Sequence, residues 1–340
     1  MHFPGRIILI PILVIIVIIP FVSLLYIGID REGNILDPAE RARLGGTYIQ
    51  LSDGIIHYDL TGPDTAQTVV LIHGGTIPLF DFDLQMPALL DEGFRVLRYN
   101  QYGRGLSDRP KVEYDRALYG KQLHELLDSL GIHEPVDLLG HSFGALIAVR
   151  FTAHNPLRVR KLVLHSPMID KLSNTTGYTL SRMPVVGRFL TRVLLMPLAI
   201  KRAKALLHPL ENSDQYLSAF NRQIRYKGFE HSLYSMLTTD AMDDHSEYYA
   251  ALGEQDREIA LVWGTEDNNI SRTMVDTIRS LVPQAHYYEI DGAGHSPNLE
   301  SPEVFNEIII KFLTRTVSAP PAHQADSTEP GGTDHRLNGV

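Results

Sequence analysis

Three side chains of the kinds that acyl transfer requires occur in this chain in a telling arrangement: Ser142, Asp267 and His295. A serine hydroxyl is a poor nucleophile at neutral pH. It needs an imidazole to take its proton and a carboxylate to fix the tautomer of that imidazole. Ser142 stands between Gly140 and Gly144 in the stretch DLLGHSFGALIAVRF, where a short β-leaning run meets a helix-compatible one. A nucleophile held on such a tight turn needs little side chain two positions before and two after it. G-x-S-x-G alone is a weak signal in a chain with 26 glycines, so the partners decide. Asp267 ends the turn Gly264-Thr-Glu-Asp and His295 ends Gly292-Ala-Gly-His, each just beyond a strand-like run. Glu266, Asp240, Asp243 and Asp244 are the alternative acids. His73 and His141 read as turn-shaping residues, and Asp108 beside Arg109 reads as a structural ion pair.

Acyl transfer also needs fixed donors for the developing oxyanion. The residue after the nucleophile, Phe143, offers one backbone N–H. The loop after the strand ending at Ile72 offers a second from Gly75, with Thr76 as the alternative, because a glycine lets the backbone approach a reacting carbonyl closely. This chemistry calls for no metal and no organic cofactor. The chain has no cysteine, which removes disulfides, thiolate metal sites and thiol nucleophiles together.

The elements that must position these residues alternate. Thr47–Leu51 and Ile55–Leu60 flank Ser52-Asp53-Gly54, a hairpin signal. Strands are expected at Thr68–Ile72, Phe94–Tyr99, Val136–Leu139, Lys161–His165, Glu258–Trp263 and His286–Ile290. Helices are expected at Tyr119–Leu130, after Ser142, at Ser271–Leu281 and at Pro302–Leu313. Such alternation predicts an α/β fold with a mostly parallel sheet, in which ligands bind beyond the carboxyl ends of the strands. The alternation breaks between Met168 and Gln255, where helix-like runs carry no convincing strand. The core is thus 47–167 and 256–313, interrupted by a helical insert over 168–255. Residues 31–46 read as a polar linker, and 314–340 as a disordered tail rich in Pro, Gly, Ser and Asp.

The stretches HGG (His73–Gly75), YGRGLSDRP (Tyr102–Pro110), GHSFG (Gly140–Gly144), WGTEDNNI (Trp263–Ile270) and GAGHSPNLESPEVFNEIIIKFL (Gly292–Leu313) together resemble the α/β-hydrolase superfamily in its serine-nucleophile branch. The resemblance covers Tyr48 to Leu313 apart from the insert. It implies that 168–255 is a helical cap over the active site and that Ser142, Asp267, His295, Gly75 and Phe143 take the roles given above. Epoxide hydrolases and haloalkane dehalogenases carry aspartate at the elbow, so the serine here argues against both. Proline iminopeptidases show HGGPG where this chain has His73-Gly-Gly-Thr-Ile, and the Gly-Pro-Gly run of the serine carbon–carbon bond hydrolases is absent too. Esterases and lipases, membrane-anchored acylglycerol lipases among them, are closest in kind. The expected activity is hydrolysis of a lipophilic carboxylic ester through an acyl-enzyme. The alternatives are amide, peptide or carbon–carbon bond hydrolysis on the same triad, or a silent binding protein of the same fold.

A chain of 340 residues with 44% hydrophobic content can bury a sizeable core, and a net charge of -9 argues against nucleic acid as a partner. From Ile7 to Ile29 the chain carries 23 residues without a charge. As a helix this run would be roughly 34 Å long, enough to span a bilayer, and no small-residue cleavage pattern follows it. Residues 1–30 are therefore expected to be an uncleaved single-pass anchor. Arg6 before it and Arg31, Arg41 and Arg43 after it do not fix its orientation. Between Asp170 and Glu211 there are seven basic residues and no acidic one, alternating with apolar blocks. That pattern reads either as a solvated helix face over an ordinary apolar cap or as a lid that meets an anionic bilayer surface, and an anchor on the same chain favours the lid.

Overall fold

The computed structural model describes residues 30–170 and 182–315, together with Leu24 and Gly28. The expected anchor lies outside the described residues apart from Leu24, Gly28 and Asp30, as do residues 171–181 of the insert and the tail beyond Arg315. Among the described residues no helix is long and apolar enough to cross a membrane.

The described strands are β1 Thr47–Gln50, β2 Ile55–Thr61, β3 Thr68–Ile72, β4 Arg95–Tyr99, β5 Val136–His141, β6 Val159–His165, β7 Ile259–Gly264 and β8 His286–Ile290. They form one sheet in the order β1-β2-β4-β3-β5-β6-β7-β8. The pairs β1–β2 and β2–β4 are antiparallel, and all later pairs are parallel. The helices are α1 Pro38–Leu44, α2 Met86–Asp91, α3 Arg116–Ser129, α4 Phe143–His154, α5 Pro184–Leu190, α6 Met196–Leu207, α7 Ser213–Gln223, α8 Phe229–Thr238, α9 Ser246–Gly253, α10 Arg272–Leu281, α11 Pro297–Glu300 and α12 Pro302–Thr314.

The central strand β3 shows why the sheet is covered on both faces. Its sequence TVVLI is buried throughout, as a strand sandwiched between helix layers must be. Successive side chains point to opposite faces. Val70 and Ile72 join Leu123, Leu126, Leu146 and Val149 from α3 and α4. Val69 and Leu71 join Phe82, Leu89, Phe305 and Ile309 around α2 and α12. The expected strands all appear, with ends shifted by a residue or two. Helix α3 starts at Arg116, three residues before the expected Tyr119, because the Asp115 carboxylate accepts from Leu118 N at 2.8 Å and caps it.

The described part of the insert is helical, α5 to α9, with a π-turn at Thr191–Leu195 carrying α5 into α6. Met196, Leu207, Phe220, Leu233 and Met236 are buried in one cluster with the side chains of β3 and α4. The cap is thus packed on the core through a continuous apolar contact.

Two expectations need correction. Residues 31–46 are no free linker. They contain α1, capped by Asp37 accepting from Glu40 N at 2.8 Å, and the stretch before it is stitched to the cap. Asn34 N donates to Arg225 O at 3.0 Å, and Lys227 N donates back to Asn34 O at 2.9 Å. The Glu32 carboxylate accepts from Gly228 N at 2.9 Å and from Glu230 N. Asp108, in turn, pairs with the buried Arg41 of α1 rather than with its neighbour. Arg109 spends its guanidinium on the carbonyls of Ser107, Gly105 and Gln223.

Candidate active site

The elbow geometry follows from its glycines. Ser142 has φ 52° and ψ -112°, one of three non-glycine residues with positive φ among the described residues. A side chain at Gly140 would put Cβ 2.5 Å from the carbonyl oxygen of Gly144, and one at Gly144 would overlap the carbonyl oxygen of Ile72. Both neighbours are backbone and cannot swing away. Only with glycine at these positions can β5 turn directly into α4 and leave Ser142 at the sheet's carboxyl edge.

Three strand ends converge there. His295 Nε2 lies 3.0 Å from Ser142 Oγ, and its Nδ1 lies 2.9 Å from Asp267 Oδ2. Asp267 Oδ1 accepts from Asn269 N at 2.7 Å and Ile270 N at 2.9 Å. Burial tends to raise the Asp267 carboxyl, but the His295 hydrogen bond and charge and these two N–H donors outweigh it and lower its pKa. An ionised Asp267 accepts from Nδ1–H, so Nε2 is left with a lone pair for the serine proton. The competing acids are engaged elsewhere: Asp240 with Arg116, Asp243 with Arg182, and Asp244 with the hydroxyl and N–H of Ser246. Glu266 lines the cavity beside the site, while the His295 ring nitrogens face Asp267 and Ser142.

Gly75 and Phe143 face each other across this point. A Cβ built on Gly75 would sit 3.6 Å from Phe143 Cβ. Phe143 is the first residue of α4, where helix N–H groups have no partner within the helix. Among the described residues neither N–H has a protein acceptor. The carbonyls beside them are held. Arg104 Nε donates to Gly75 O at 2.5 Å, and Gln223 Nε2 donates to Thr76 O at 2.9 Å.

The site opens into a cavity of about 650 Å³ between sheet and cap. Met168, Leu195, Leu198, Leu206, Leu233 and Met236 supply much of its wall, and Arg202 is the single arginine or lysine among its described lining residues.

A model of the alpha/beta hydrolase family matches residues 69–308. The chain belongs to the alpha/beta hydrolase family. It is a hydrolase, as its named relatives are. It is 28% identical over 281 residues to the 2-hydroxy-6-oxononadienedioate/2-hydroxy-6-oxononatrienedioate hydrolase of Cupriavidus pinatubonensis, covering 78% of this chain and 94% of that one. Its fold superposes on the enol-lactonase of Burkholderia xenovorans with a TM-score of 0.63 at 20% identity, covering 79% of this chain and all of that one. An esterase from Exiguobacterium antarcticum gives 0.64 at 19% identity, covering 80% of this chain and 100% of the other.

In this hydrolase the sequence reading missed a polar layer beneath the triad. Asp81, fully buried, sits 2.7 Å from His141 Nδ1 and accepts from Gly74 N at 3.2 Å. His141 stacks on His165, and His165 Nε2 lies 2.9 Å from Asn298 Oδ1. Arg104 was missed as well. It is buried, has no carboxylate partner among the described residues, and links Gly75 to Ser232 Oγ at 2.7 Å and Met236 Sδ at 3.4 Å on α8. An acid inside the apolar run Leu79-Phe80-Asp81-Phe82 was the available signal for the first.

Proposed function

We propose that this hydrolase cleaves carboxylic esters with lipophilic acyl groups by a serine acyl-enzyme mechanism, while tethered to a membrane by residues 1–30. The observation that carries the reading is the continuous chain Ser142–His295–Asp267 opening onto a largely apolar cavity. In this mechanism Ser142 Oγ attacks the ester carbonyl as His295 Nε2 takes its proton. The Gly75 and Phe143 N–H groups receive the oxyanion, and Asp267 stabilises the imidazolium. His295 then returns the proton to the departing alcohol, and water, activated by the same imidazole, releases the acid. An apolar wall fits an acyl chain, because burying each CH₂ contributes about 0.8 kcal/mol.

The tether rests on the uncharged run from Ile7 to Ile29. Exposed apolar side chains on the described cap (Met183, Val185, Val186, Leu194 and Leu198) support lipid as the neighbouring phase. The basic residues of the insert divide. Arg192 is buried in pairs with Glu230 and Asp30, and Arg182 pairs with Asp243, so these serve the fold. Lys201 is exposed on α6 and available to an anionic surface, while Arg202 beside it donates to Asn269 Oδ1 at 3.3 Å and lines the cavity.

A second reading, carbon–carbon bond hydrolysis, draws on the 28% identical relative. That relative's named substrates are dicarboxylates, whereas a single arginine lines the cavity here. The test is fluorophosphonate labelling followed by p-nitrophenyl esters of increasing chain length and a carbon–carbon substrate panel. Labelling at Ser142, lost in Ser142→Ala, with turnover rising toward medium or long acyl chains is the expected result. Turnover of dienol diacids alone would favour the second reading.

A further inference from the structure

Beneath the triad lies a second histidine–carboxylate pair that the ester mechanism leaves unused. His141 Nε2 lies 3.1 Å from the carbonyl oxygen of His295, and its Nδ1 lies 2.7 Å from Asp81 Oδ2. A carbonyl oxygen can only accept, so Nε2 carries a proton. Asp81 Oδ2 already accepts from Gly74 N, and Asn298 Nδ2 donates to Asp81 Oδ1 at 3.4 Å, an environment that favours the ionised carboxylate. Nδ1 then carries a proton too, and His141 is an imidazolium. Its ring centre is 5.3 Å from that of His295.

We propose that His141 is a charged positioning residue, its imidazolium held by Asp81 and donating to the His295 backbone so that the His295 ring stays aimed at Ser142. Two loops are tied through one ion pair: Asp81 holds the Gly74 N–H, next to the oxyanion donor Gly75, and His141 holds the loop that carries His295. The other groups around His141 leave its charge in place. His165, stacked at 4.4 Å from β6, is neutral: burial pushes its pKa well down, and its Nε2–H donates to Asn298. His73, at the end of β3, is driven down to about 4 by burial. Burial opposes a charge on His141 as well, but the Asp81 charge and hydrogen bond and the His295 carbonyl outweigh it and raise its pKa. Asp267 acts in the same direction from the far side of His295.

This inference rests on the serine-hydrolase reading, and the experiment separates the two. The rate of fluorophosphonate uptake at Ser142 is followed against pH in the full chain for wild type, His141→Gln and Asp81→Asn. Glutamine can still donate to the His295 carbonyl but holds no charge and leaves Asp81 negative. Wild-type uptake should fall at high pH as His141 gives up its proton; that basic limb should be absent from His141→Gln and lie at lower pH in Asp81→Asn. A lower rate with an unmoved basic limb in both variants would reduce His141 to a packing role and overturn the proposal. Should His141→Gln not fold, nitrogen NMR of the wild-type ring decides: both nitrogens of His141 protonated at pH 7 is the expected result, and a neutral ring at pH 7 refutes it. A wild type that takes up no fluorophosphonate overturns the serine-hydrolase reading instead, and the NMR still reports the charge on His141.

Discussion

At the scale of single residues, the elbow stores backbone strain that its surroundings must enforce. A left-handed φ on a serine costs of order 1–3 kcal/mol and persists only where packing over-determines it. Here the determinant is the close passage of Gly144 under the Ile72 carbonyl. Gly144→Ala should therefore lower stability by at least about 1–3 kcal/mol, the range of overpacking with immovable neighbours, and a urea titration reads this directly. Asp267→Asn leaves packing intact but removes control of the His295 tautomer, and kcat should fall by about 10⁴-fold. Asp243→Asn should stay near wild type, and the reverse ranking would move the acid to the earlier turn. The buried pair beneath makes a pH prediction. The Asp81 carboxyl is held far below its ordinary range, burial being outweighed by the His141 charge and hydrogen bond. Its contribution is present above pH 4 and lost as pH falls through that depressed value. His141, raised, contributes fully below about 6.5 and loses its contribution as pH rises through its raised value. Stability against pH, measured by denaturant midpoints, should have a flatter acid side in the Asp81→Asn/His141→Gln double variant. That Ser142, Asp267 and His295 come together was legible in the sequence because each follows its own strand within a short turn. Asp81 was marked only by its place in an apolar run, and its pairing was not legible, since His141 and Asn298 lie 60 and 217 positions away.

At the scale of elements, two buried cations tie segments together. Lys161 on β6 is fully buried, and its Nζ donates to the carbonyls of Phe312 at 2.9 Å, Leu313 at 3.1 Å and Arg315 at 2.6 Å, with Glu258 at 3.1 Å. It caps the carboxyl end of α12, where the helix leaves carbonyls unpaired and negative potential. Lys161→Met should cost about 3–5 kcal/mol, as breaking a buried charge network does, with hydrogen exchange rising first in α12. Arg104 joins the oxyanion loop to α8. Burial lowers its pKa but leaves it a cation. Arg104→Met should lower kcat/KM by about 100-fold, the cost of an ångström of misplacement, while Ser142 still takes up fluorophosphonate at a reduced rate. The strands were readable from their aliphatic runs, since TVVLI and IALVWG allow little else. Helix α1 was not, because PAERARL has no apolar stripe and is held by Arg41 and the Asp37 cap.

At the scale of the whole molecule, a core that buries its aliphatic strands on both faces contrasts with a cap that shows Val185 at 83% exposure and Leu194 at 57%. Charge reversal of Lys201, which is exposed, outside the buried pairs and absent from the cavity wall, should weaken stimulation by anionic vesicles in a fragment starting at Asp30. Each basic residue near such a surface contributes about 1 kcal/mol. Turnover of a short soluble ester should change by less than about twofold, because Lys201 touches neither the triad nor the cavity. The stitched amino-terminal segment has a further, mechanical consequence. Glu32 and Asn34 hold the stretch from Arg225 to Glu230 that leads into the first turn of α8, and Asp30 reaches Arg192 at 3.7 Å. Tension applied to the chain before Asp30 thus arrives at the roof of the cavity before it reaches the hairpin β1–β2. A pull that strips Glu32 from its two N–H donors loosens the start of α8, the helix whose Ser232 and Met236 receive Arg104.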